Sequence, residues 1–209
     1  MPSLLTSTIG MKLGMGLTGL VLYGFLLGHL AGNLLLLRGD AGRAFGEYAG
    51  YLERHRQIVL PTEILLVAAC VLHVYLAVTL SVDAVRARPV GYRRLQAVGG
   101  RSAASKTMIW SGIAILVFLL IHVGTFRFGD RMGGTLYDLV SGTFRHATWA
   151  SGYVLGMVLL GFHLWHALQS AFQTLGLSVR PALRRVSIVF CVLVAGGFAS
   201  IPTAFFLDR

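Results

Sequence analysis

The sequence predicts an all-α protein, a polytopic membrane bundle of five transmembrane helices. Three observations predict it. Apolar residues make up 56% of the 209 and charged residues only 12%, with a mean hydropathy of +0.73, which excludes a disordered chain and an ordinary water-soluble domain. The charges are confined to short gaps between long apolar stretches. The 26 glycines would weaken a soluble core, whereas bilayer helices use small residues to bring backbones close together.

A bare charge at the bilayer centre costs about 2.5–3.5 kcal/mol, so the charge-free gaps locate the spans. The gap from Lys12 to Arg38 predicts a helix over 14–37. The gap from Arg56 to Asp83 contains only Glu63 and predicts a helix over 61–85, with Pro61 at its start, where a missing amide costs nothing. Lys106 to Arg127 gives 107–127, Arg145 to Arg180 gives 149–174, and Arg185 to Asp208 gives 186–206. Each gap supplies the roughly 20 residues that a spanning helix needs. The first apolar segment is too long for a cleaved signal and lacks a basic leader, so it is expected to stay. The connections are too short for a soluble domain, and residues 1–209 are expected to form one transmembrane domain.

Lys and Arg number ten on the side of the N-terminus and eight on the other, which places the N-terminus in the cytoplasm. The net charge of +10 reads as membrane topology, because no basic run is interleaved with aromatics as nucleic acid would require. Cys70 and Cys191 lie inside apolar stretches and no CxxC or CxxCH occurs, so no disulfide, cysteine metal site or covalent haem is expected.

Four histidines fall deep in four successive spans: His29, His73, His122 and His163. One buried imidazole is explained by a hydrogen bond to a neighbouring helix. Four in a row are not explained by packing, whereas bis-imidazole ligation of haem b needs pairs of them facing one another across an apolar bundle. Rise per residue tests this. His29 and His122 lie roughly 23–26 Å from the cytoplasmic ends of their helices, and His73 and His163 roughly 16–18 Å. The four therefore sort into an outer pair, His29 with His122, and an inner pair, His73 with His163, as two stacked haems require. Non-haem iron or zinc would recruit carboxylate or thiolate, which the spans scarcely offer. His166, three residues beyond His163, shares roughly its face, so either can ligate. His163 is favoured, with His166 nearer the cytoplasmic surface beside a propionate, a quinone or water. His55 and His146 read as solvated. Gly24, Gly28 and Gly32 form a stripe beside His29 on which a porphyrin can lie; the commoner use of such a stripe is helix packing.

The segments GHLAGNLLLLRGDAGRAFGEYAGYL, PTEILLVAACVLHVYLA, SGIAILVFLLIHVGTF and FHLWHALQSAFQTLG resemble the cytochrome b membrane anchor of bacterial succinate:quinone oxidoreductases, the succinate dehydrogenases and fumarate reductases. The resemblance runs from the first span through the fourth and is to the single-anchor type with five helices and two b haems. It implies His29 and His122 as ligands of the distal haem and His73 and His163 as ligands of the proximal one. It also implies a flavoprotein with FAD and an iron–sulfur protein docked on the cytoplasmic side of a bacterial cytoplasmic membrane, and a quinone, menaquinone, as substrate. Some fumarate reductases of this type carry a glutamate two residues before the fourth-helix ligand. Here that position is Gly161, which favours succinate oxidation.

Quinone reduction consumes protons, so a titratable group is expected beside the ring. Near the outer haem the candidates are Glu47, Glu53 and Glu63; a carboxylate at a helix start also serves the helix dipole, which is the simpler reading of Glu63. Lys12, Arg86, Arg88, Lys106, Arg38 and Arg127 can reach propionates or serve only as topology charges. The rival readings are a haem-free membrane anchor with structural histidines, the haem b subunit of another membrane dehydrogenase or of a fumarate reductase, and a proton-relay transporter. The last would need paired acids or broken helices at the midplane.

Overall fold

In the computed structural model, which describes residues 7–87, 103–176 and 181–208, seven α-helices and no strand are present among the described residues. They are α1 (Thr8–Asn33), α2 (Arg43–Arg54), α3 (Arg56–Arg86), α4 (Ala103–Phe126), α5 (Leu136–Arg145), α6 (Ala147–Thr174) and α7 (Pro181–Leu207). Five of these, α1, α3, α4, α6 and α7, are long and apolar enough to cross a membrane. The all-α bundle with five long apolar helices is the architecture expected from the charge-free gaps.

The helices overrun the gaps. Ser7 starts α1 by accepting a hydrogen bond from Gly10 N at 3.1 Å, six residues earlier than the charge gap places it, and a 3₁₀ turn over Leu34–Leu37 completes the span. In α3 the helix begins at Arg56, so Pro61 lies inside it rather than at its start. A proline this near an N-terminus forfeits only one main-chain bond, and Ile58 N and Val59 N both reach back to His55 O.

The two connections expected as loops contain α2 and α5. In α2, Phe45, Tyr48 and Leu52 recur at helical spacing on one face, and Phe45 is buried. In α5, Val140 and Phe144 are buried, and a capping box starts the helix: Thr135 N donates to Asp138 Oδ2 at 2.8 Å while Asp138 N donates to Thr135 Oγ1 at 3.2 Å. These faces close over one end of the bundle in a cluster with Leu36, Tyr153, Ile201 and Phe205. Gly42, with φ +81°, lies so close under the Tyr137 ring that any side chain there would overlap it. This covered end is termed outer, and the end at which α1 starts is termed inner.

The long helices pack as two pairs, α1 with α3 and α4 with α6, joined through α1 and α6, while α3 and α4 scarcely touch. α7 lies along α6 and α1.

Candidate functional site

The packing brings the four histidines together as two pairs. At the outer level the rings of His29 and His122 stand 5.8 Å apart, centre to centre, and at 89° to each other. At the inner level His163 lies within electrostatic reach of His73 and of His166. His166 lies against the neighbouring Trp165 ring at 4.6 Å.

The two levels are built differently. The outer pair sits among rings: Phe25 stacks on His29 at 5.2 Å and Phe118 on His122 at 6.0 Å, with Phe198 beside His29 and Phe126 and Tyr153 beside His122. Polar support is thin. Asn33 Nδ2 donates to His29 O at 2.7 Å and lies 3.4 Å from His29 Nδ1, while His122 Nδ1 is buried with no hydrogen-bond partner. An orphaned buried nitrogen in a native fold calls for an explanation, and a bound group is one.

The inner pair is anchored by hydroxyls of the facing helices. Thr18 Oγ1 on α1 lies 3.2 Å from His73 Nδ1, which is also 3.2 Å from Met15 O. Ser111 Oγ on α4 lies 3.1 Å from His163 Nδ1. Beside each hydroxyl is a glycine facing the same ring: a Cβ on Gly19 would lie 3.4 Å from His73 Cε1, and one on Gly112 would lie 3.5 Å from His163 Cε1.

Thr18, Ser111, Asn33, Phe25 and Phe118 were not singled out as site residues by the histidine pattern, yet a signal for them exists in the sequence. TGLVLYGFLLGHLAGN over 18–33 aligns without gaps on SGIAILVFLLIHVGTF over 111–126. A hydroxyl–glycine step, a Phe-Leu-Leu and a histidine recur at identical spacing, with hydroxyl and histidine about three turns apart and so on one face. The structure extends this repeat to the order of elements: a long helix, a short amphipathic one and a long helix, α1–α3 and then α4–α6. Each pair of histidines takes one member from each half.

Two imidazoles sharing a first-row metal through ring nitrogens at about 2.0–2.1 Å each would have centres about 6 Å apart. The outer rings fit that separation. Both inner rings have Nδ1 engaged and Nε2 left for another partner, the usual arrangement of a ligating histidine. The outer rings therefore fit a bis-imidazole centre by their separation, and the inner rings fit ligation by the nitrogen each leaves unengaged. On the Gly28 side of α1 a Cβ would meet nothing, so space is open there, whereas the face at Gly32 is covered by the Tyr48 ring.

The carboxylate candidates divide. Glu63 pairs with Arg127 Nε at 3.1 Å, joining α3 to the end of α4, and Glu53 pairs with Arg131 Nη2 at 3.0 Å; Glu47 is exposed on α2. Glu63 thus meets a cation at the outer surface, in the second turn of α3 rather than the first. His55 sits at the α2–α3 junction with Nδ1 2.8 Å from Tyr51 O, and His146 is exposed between α5 and α6. Among the cations, Lys12, Arg38 and Arg86 are exposed, and Arg88 and the Lys106 side chain lie outside the described residues.

Comparison with family models, with curated proteins and with solved structures found no match to this chain.

Proposed function

We propose that the chain is the di-haem cytochrome b membrane anchor of a bacterial succinate:quinone oxidoreductase. The observation that carries this reading is the sorting of four intramembrane histidines into two facing pairs at two heights, each pair shared between two repeated halves. His29 and His122 would hold the distal haem b, His73 and His163 the proximal one. When bound, such groups supply one-electron transfer at six-coordinate iron with no open position. The chain's own residues hold and insulate the two centres. The Phe25, Phe118, Phe126 and Tyr153 rings keep water from the outer pair, and Gly28 leaves room beside it.

Electrons from succinate would enter from a flavoprotein and an iron–sulfur protein on the cytoplasmic side, where the N-terminus lies in this proposal, and leave to a quinone, menaquinone, in the cytoplasmic membrane. Glu63, held by Arg127 at the outer surface, is the best-placed group to pass a proton to a quinone being reduced there. Gly161 in place of a carboxylate favours the succinate-oxidising direction.

Purification from native membranes with haem counting tests the proposal. Two pyridine-haemochrome equivalents of haem b per chain, with a flavoprotein and an iron–sulfur protein copurifying, are expected. A colourless preparation that retains those partners would replace it with the haem-free anchor, and a coloured one with other partners would assign the chain to another membrane dehydrogenase.

A further inference from the structure

The two inner histidines meet the same device on two different helices, and the proton count of that device fixes their chemistry. A hydroxyl has one proton. Thr18 has acceptors for its proton on its own helix, Gly14 O at 2.9 Å and Met15 O at 3.0 Å, and Ser111 has Met108 O at 3.0 Å. With the proton placed on that carbonyl, each hydroxyl oxygen is left to accept from the Nδ1 atom facing it, that of His73 or His163. His73 has a second constraint of the same sign, because Met15 O, 3.2 Å from its Nδ1, can only accept. Both rings are thereby held as the Nδ1–H tautomer, with a bare lone pair on Nε2.

We infer that Thr18 and Ser111 are positioning residues that set the tautomer, orientation and donor strength of the two inner histidines, and through them the redox potential of the centre that those histidines bind. This deepens the haem reading and rests on it. A ligating imidazole whose other nitrogen donates a hydrogen bond is a stronger electron donor and favours the oxidised metal. Removing the acceptor raises the potential. The two positions differ in size of effect: Ser111 is the only acceptor for His163 Nδ1 among the described residues, whereas His73 keeps Met15 O when Thr18 is lost. The outer pair has no such device, since His122 Nδ1 has no partner and His29 Nδ1 faces only the amide nitrogen of Asn33.

The test is potentiometric titration of the intact complex with haem counting, for Ser111→Ala, Thr18→Val and the hydroxyl-retaining Ser111→Thr and Thr18→Ser. Ser111→Ala is expected to raise the potential of one haem by about tenfold in its one-electron equilibrium, about 59 mV, with the other unmoved. Thr18→Val should move the same haem the same way but less, and the hydroxyl-retaining variants should restore it. Two haems per chain with both potentials unchanged in Ser111→Ala would overturn the inference while leaving the haem reading intact. If the wild-type chain binds no haem, that reading fails instead. Histidine ¹⁵N NMR on the same chain then decides the tautomer: Nδ1–H resonances for His73 and His163, with that of His163 lost in Ser111→Ala, support the device, and an Nε2–H tautomer refutes it.

Discussion

The outer and inner histidine pairs lie about three helical turns apart in one bundle and are held by different physics. The outer rings are fixed by shape, wedged among phenylalanines and Tyr153 under a lid of two amphipathic helices, with one ring nitrogen buried and unsatisfied. The inner rings are fixed by directed hydrogen bonds to Thr18, Met15 O and Ser111. Aromatic packing does not distinguish the two nitrogens of an imidazole, whereas a donor–acceptor pair does. The difference implies that the inner pair is the preorganised one and that the outer pair depends on its surroundings and on what binds there.

The largest test of that division removes ligands one level at a time. His122→Leu should cost the chain one haem of the expected two and leave the inner signal intact, and His163→Leu should cost the other. Haemochrome counting with low-temperature spectra reads both. Loss of both haems from either variant would mean that the levels are not independent, and retention of both would reassign the ligands, with His166 the first residue to examine at the inner level.

How much of this was legible beforehand follows from what the signals encode. The spans were readable because the penalty for charge in hydrocarbon is large and sequence-local. The pairing followed from rise per residue, since α1 and α4 run the same way and place His29 level with His122, while α3 and α6 run the other way and carry His73 and His163. The lid over the outer pair was missed because α2 and α5 carry charges on their exposed faces, so Arg43, Glu47, Glu53 and Asp138 read as loop residues when only charge-free length is scored. Periodicity of Phe45, Tyr48 and Leu52, and the Thr135–Asp138 box, would have shown them. Glu63 needed the tertiary structure: nothing local to its helix announces Arg127, sixty-four residues away. Thr18 and Ser111 were hidden because a single hydroxyl in a span is commonplace, and only the repeat around them gives them meaning.

Glycine substitutions sharpen the contrast at smaller scale. A Cβ on Gly156 would fall 2.6 Å from Phe118 Cδ2, inside the ring that stacks on His122, whereas one on Gly112 would make ordinary contact with His163 at 3.5 Å. Gly156→Ala should therefore destabilise the fold by about 1–3 kcal/mol of overpacking and disturb the outer signal. Gly112→Ala should be neutral or stabilising by up to about 1 kcal/mol, because alanine is the better helix former and nothing has to move. Thermal unfolding in detergent compares them. Equal effects of one sign would deny that the outer level is the tightly packed one.

The smallest effect concerns acid and the lid. Asp138 accepts from the Thr135 hydroxyl at 2.7 Å and from Thr135 N, and these bonds lower its pKa below the ordinary 3.8. A carboxylate with a depressed folded-state value contributes stability that is fully present above its ordinary value and is lost as pH falls through the folded one. The start of α5 should thus hold at neutral pH and loosen only below about pH 3.8. Amide exchange in the first turn of α5 is expected to accelerate in that acid window while amides beside Thr18 and Ser111, which no carboxylate supports, do not follow. The control is Asp138→Asn, which keeps the shape of the cap and removes its titratable proton. In that variant the acid-dependent acceleration at α5 should shrink, with protection already reduced at pH 7. An unchanged pH profile would mean that the lid is held by Phe144 and Val140 against the bundle and owes nothing to the cap, which would make the outer level wholly a product of packing.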